Sequence, residues 1–220
     1  IEGDGVTSVL RSTVNTIYTA LLEVRSNEGT NGNQHISNVK FDGTNLTTHW
    51  AVWIAGRSNV SMYNCTVVDF KDRGVIFSGR NDGIALPPAS AYATGNKFYN
   101  NIVNNCADYN GYGRGCLEMG GQEGLLVYNN TITQNSRPSG QNGWPIKYTN
   151  EGWLKGVKIY NNTIKKIPYA NDGWSFALEL FNAQGMEIYG NTIQGSLDFN
   201  YQGNKGVYPW AIYIHDNIIK

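Results

Sequence analysis

Val127-Tyr128-Asn129-Asn130-Thr131-Ile132 is the stretch whose reading decides the fold. It returns as Ile159-Tyr160-Asn161-Asn162-Thr163-Ile164 and as Ile188-Tyr189-Gly190-Asn191-Thr192-Ile193. Looser copies are Met62-Tyr63-Asn64-Cys65-Thr66-Val67, Phe98-Tyr99-Asn100-Asn101-Ile102-Val103 and Ile214-His215-Asp216-Asn217-Ile218-Ile219. The second Asn falls at 101, 130, 162, 191 and 217, in steps of 29, 32, 29 and 26 residues. A near-fixed period in this range marks stacked copies of one supersecondary unit.

Outward from the phrase, each repeat reads as short strand, turn, short strand, polar loop. The first strands are expected at residues 21–24, 51–54, 74–77, 116–119, 145–148, 177–180 and 197–199, with a turn at 26–34 after the first. No segment holds an apolar helical period, so no long helix is expected. Asn tolerates left-handed turn geometry, and its amide can bond the Asn one turn away. The Ile132/Ile164/Ile193 column predicts a continuous stacked core.

The chain has 220 residues, enough for one sizeable core without a second domain. Formal net charge is zero and 15% of residues are charged, which leaves no basic footprint for nucleic acid. Gly (26), Tyr (14) and Trp (6) are abundant, in keeping with many turns and aromatic surface. No window approaches the roughly 18 apolar residues of a membrane helix, so no membrane role is expected. No signal peptide is legible, and polar caps are absent at both ends. The expectation is a single domain over 1–220, monomeric, trimmed or cut from a larger multidomain protein. Cys65 holds the ladder position of Asn130 and Asn162 and is read as a small buried side chain. A Cys106–Cys116 bridge is left open, and no metal cluster accompanies the three cysteines.

The repeated Tyr-Asn-Asn-Thr-Ile phrase, with Asn in register over roughly residues 21–219, resembles the right-handed parallel β-helix of the pectin-lyase-like superfamily. The resemblance implies an all-β solenoid, here of about seven coils, of a kind that hosts polysaccharide lyases and glycoside hydrolases. It implies a polysaccharide partner, a secreted or cell-surface location, and calcium as an optional ligand. The local signatures of β-helix lyases and the Asp-Asp pair of polygalacturonase-type hydrolases are absent, so no catalytic residue carries over from either.

In a solenoid, site chemistry lies in columns. The middle residue of each first strand points outward, and that column reads Glu23, Trp53, Ile76, Glu118, Lys147, Glu179, Asp198. Neighbouring members are expected about 5 Å apart and Glu118 to Glu179 about 10 Å apart. Retaining glycosidases need carboxyls about 5–5.5 Å apart and inverting ones about 6.5–9.5 Å. An elimination needs instead a base and a cation for a uronic carboxylate, which Lys147 with Arg114 could supply. The plainer reading is an alternating ion-pair ladder, Glu118–Lys147–Glu179, on a solvated face. Asp198 beside Glu179 breaks that alternation.

Glu118, Lys147, Glu179 and Asp198 are therefore the candidate catalytic residues. Trp53, Trp144, Trp174 and Trp210 are candidate sugar-stacking surfaces. Arg80 and Arg114, with Arg73, are candidate anion binders. The expected function is degradation of an extracellular polysaccharide; the alternative is a non-catalytic carbohydrate-binding or adhesive module. The Tyr63/Tyr99/Tyr128/Tyr160/Tyr189 column, ending at His215, is expected to be structural.

Overall fold

The six-residue phrase spans the end of one short strand and the start of the next, with a sharp corner between them, as at Leu126–Tyr128 and Thr131–Asn135. The first Asn is that corner. Asn64, Asn100, Asn129 and Asn161 have φ between 53° and 56°, a left-handed conformation that Asn tolerates better than most residues. In the third copy Gly190 takes the corner at φ 65°, and a Cβ there would lie 2.4 Å from Asn161 Oδ1. The second Asn is the ladder. Asn130 Oδ1 accepts the Asn101 backbone N–H at 2.9 Å, and Asn162 and Asn191 repeat the bond one turn on. Cys65 sits at the top of this ladder, its backbone N–H donated to Asn101 Oδ1 at 2.9 Å.

The computed structural model describes residues 1–13, 19–46, 50–79, 92–107, 114–135, 143–149, 153–167, 176–201 and 209–220, with the backbone alone at 27–31. Every described pairing is parallel, and no helix is present among the described residues. The strands form sheets of eight, seven, seven and four members, so the chain is an all-β parallel solenoid. Five turns carry a neighbouring turn on both sides. The sequence expectation was about seven, counted from the strand at 21–24 to the end of the chain; the outermost strands at Val9–Arg11, Tyr213–His215 and Ile218–Ile219 are exposed. The four-stranded sheet, absent from the sequence reading, is built of two-residue strands such as Gln122–Glu123 and Leu154–Lys155, too short to leave a pattern.

The strand expected at residues 21–24 extends to Ala20–Asn31 and includes most of the expected turn. A register shift between Arg25 and Thr30 against Trp50–Ser58 absorbs the Gly/Asn-rich residues as a bulge. The core is the interior of the coil: Val67, Val103, Ile132, Ile164 and Ile193 stack fully buried, as do Val127, Ile159 and Ile188. The Tyr column lies outside. Tyr63, Tyr99, Tyr128, Tyr160 and Tyr189 stack ring on ring at 4.8–5.0 Å within 9° of parallel, and His215 closes the row at 5.2 Å from Tyr189. That spacing is the inter-strand distance itself. Hydrogen bonds to Asp216 and Glu187 hold the His215 pKa above its ordinary value.

Candidate functional site

The seven-stranded sheet that begins with Ala20–Asn31 carries the site. Its register aligns Glu23 with Trp53, Trp53 with Ile76, Ile76 with Glu118, Glu118 with Lys147, Lys147 with Glu179 and Glu179 with Asp198. One outward row thus gathers side chains scattered along the chain. From Ile76 to Glu179 the row is not a solvated face. Glu118 is 3% exposed and Glu179 7%, although their neighbours Leu117, Met119, Leu178 and Leu180 occupy the interior. Asp198 is half-buried on the strand Ser196–Asn200.

Buried carboxylates need partners, and here the partners differ from a simple ladder. Lys147 Nζ is ion-paired to Glu179 Oε2. Glu118 turns the other way: Oε1 accepts the Gly115 backbone N–H at 2.9 Å, and Oε2 lies 3.3 Å from Arg73 Nε on the preceding turn. Gly115 permits this, since a Cβ there would meet Glu118 Cγ at 2.7 Å and Lys147 Cβ at 2.9 Å.

Two aromatic clusters flank these pairs. In the first, Trp50 and Trp53 pack edge to face at 5.2 Å. Arg25 lies 4.1 Å over Trp53, and Arg73 lies 4.6 Å over Trp50. Trp53 Nε1 donates to Ser78 Oγ at 2.9 Å. Trp50 Nε1 donates to Asp72, which also accepts from Arg114 Nε at 3.0 Å. Arg114, Asp72, Trp50, Arg73 and Glu118 are thereby one connected network. In the second cluster, the Lys147 ammonium lies 4.2 Å from the Trp144 ring centroid and 4.7 Å from that of Tyr148. Trp144 is 6% exposed and its buried Nε1 has no hydrogen-bond partner among the described residues.

Tyr148, Asp72 and Trp50 escaped the sequence reading, which took a single residue from each strand. Tyr148 directly follows Lys147 and stacks on Phe181 at 3.9 Å. Burial, then the charges of Glu179, Glu118 and Asp198, push its phenol up to about 12. It stays protonated at neutral pH and can donate a hydrogen bond or a proton.

The remaining candidates are placed apart or outside. Trp210 is 61% exposed and bridges Gln184 on the four-stranded sheet, not the sheet of the row. Arg80 and Trp174 lie outside the described residues. Among the described residues no group of three or more His, Cys, Asp or Glu side chains gathers, so they do not fit a calcium-binding acidic cluster. Among them, too, no helix is long and apolar enough to cross a membrane.

No protein-family model matches the chain, and no curated protein does. Among solved structures it is similar to an alginate lyase from Paenibacillus sp. str. FPU-7, at 14% identity and a TM-score of 0.47, over 100% of this chain and 87% of that one. It is also similar to the A-module of the mannuronan C-5 epimerase AlgE6 of Azotobacter vinelandii, at 15% identity and a TM-score of 0.39, over 97% of this chain and 63% of that one.

Proposed function

We propose that the chain is a carbohydrate-active enzyme that degrades an extracellular polysaccharide, with the polymer lying along the row of Trp53, Glu118, Lys147, Glu179 and Asp198. One observation carries the reading. The sheet places two nearly fully buried carboxylates on an outward row and ties each to a cation. Buried ion pairs are a poor route to stability, because desolvation offsets their attraction. Such a cluster, ringed by aromatic side chains, is better explained by chemistry than by folding.

Glu179 serves as acid or base, with Asp198 on the adjacent strand, about 5 Å away by strand spacing, or Glu118 two strands off as its partner. Lys147 orients Glu179, or acts as the base if the reaction is an elimination, and Tyr148 supplies a protonated hydroxyl beside it. Trp53 and Arg114 border the polymer. An extracellular substrate entails a secreted or cell-surface location.

One further observation favours a second reading, a non-catalytic glycan-binding module: both buried carboxylates are already ion-paired within the sheet. A polysaccharide panel read two ways separates the readings. Release of reducing ends without absorbance from an unsaturated product identifies a hydrolase, and both together identify a lyase. Retention on insoluble polysaccharide with neither signal identifies the binding module.

A further inference from the structure

We propose that Cys106 and Cys116 form a disulfide when the chain folds under oxidising conditions, clamping the base of the strand that carries Glu118. All three cysteines are free thiols here, and all are buried. Two of them are neighbours. The Cys106 backbone N–H donates to Cys116 Sγ at 3.4 Å. The contact sets the Cys116 sulfur beside the Cys106 backbone, and a bridge then needs the two Cα atoms about 4.4–6.8 Å apart. Gly74 packs against the pair: a Cβ at that position would lie 2.2 Å from Cys116 O and 3.0 Å from Cys106 Cβ.

Little opposes the bond. The Cys106 sulfur lies 3.3 Å from Asn104 O and 3.4 Å from Val67 O, and Cys116 meets Gln134 Oε1 at 3.1 Å. Thiols are weak donors, so losing these contacts is a small penalty. Cys65 is occupied elsewhere, with its sulfur 3.3 Å from Tyr63 O and 3.7 Å from Ile36 O.

Burial, and then Cys116 beside it, push the Cys106 thiol well above its ordinary value. The pair therefore reacts slowly once enclosed, and the bond forms during folding, while thiolate is accessible. With oxidised glutathione as oxidant, the two cysteines release two protons and two electrons. One S–S bond forms in the protein, and the glutathione disulfide is reduced to two glutathione thiols. The bridge closes the chain between residues 106 and 116, directly after Gly115 and two residues before Glu118.

The test starts from protein unfolded and reduced, then refolded in a mixture of reduced and oxidised glutathione. The product is quenched in acid, unfolded, alkylated and analysed by intact mass and peptide mapping. The expected result is a single alkylated thiol, Cys65, and a peptide pair joined through Cys106 and Cys116. The bridged form melts about 5–10 °C above the same protein kept reduced, from loop-closure entropy in a domain of this size. Cys116→Ser removes both the bridge and the gain. Three alkylated thiols, a bridge to Cys65, or a linked dimer overturns the proposal. So does a Cys106–Cys116 bridge that leaves the melting temperature unchanged.

Discussion

Asn162→Ala isolates what the amide ladder contributes. Asn162 is 2% exposed and its side chain makes five hydrogen bonds. Oδ1 accepts from the Asn130 backbone N–H and Nδ2, both at 2.9 Å. Nδ2 donates to Val127 O, Tyr160 O and Asn191 Oδ1, each at 3.0 Å. Alanine leaves the Asn130 N–H buried without an acceptor, costing about 1–3 kcal/mol, and loses four further bonds at about 0.5 kcal/mol each. The sum is about 3–5 kcal/mol. In a domain of this size, at about 2–4 °C per kcal/mol, the melting temperature falls by about 6–20 °C. Thermal denaturation followed by far-ultraviolet circular dichroism measures it. The neighbouring Asn161, at φ 55°, is the control: Asn161→Gly is tolerated, whereas Asn161→Ala loses about 1–2 kcal/mol to left-handed strain. A fall of less than 2 °C for Asn162→Ala refutes the ladder as the element that holds the turns in register.

Other outcomes follow from the same geometry. Gly115→Ala forces Glu118 and Lys147 apart and costs about 1–3 kcal/mol as overpacking; calorimetry and turnover measured together should both fall, and unchanged values would show that Glu118 does not rest on Gly115. Hydrogen bonds from Thr44, Arg11 and Lys40 outweigh burial and hold the Asp42 carboxyl far below its ordinary range. A depressed folded pKa contributes stability above the unfolded pKa, near 3.9, and loses it as pH falls toward the folded value. The stability gap between wild type and Asp42→Asn should therefore be full at neutral pH and shrink below about pH 4; a gap that does not change with pH contradicts the pairing. His215 should titrate above its ordinary value in an NMR titration and move down in Asp216→Asn, since the bond to Asp216 is the chief cause.

The fold was legible because a solenoid repeats its contacts. One phrase, aligned on itself, predicts the Asn ladder, the Ile core and the outward row, and each follows a fixed strand spacing. The division of labour within Asn129-Asn130 was half legible: the second Asn reads as the ladder from sequence, and φ at Asn129 adds that the first is the corner, at which Gly190 in the third copy hints. The site was legible in register but not in pairing. Which cation meets Glu118 depends on a side chain bending back to its own strand, and on a glycine making room for it. Trp144 reads the same from sequence whether it faces a sugar or, as here, is buried beside Lys147. Tyr148 was missed because inward–outward alternation assigns it to the interior, whereas it is half-buried and stacked on Phe181.

The account rests on Glu179 acting within the row, and turnover by Glu179→Gln on the polysaccharide that the panel identifies tests this most directly. Circular dichroism confirms folding of the variant, and retention on insoluble substrate measures binding. The account predicts a fall in turnover of about 100-fold or more, the scale of a lost acid–base group, with retention preserved. Folded Glu179→Gln that turns over substrate at the wild-type rate would contradict it.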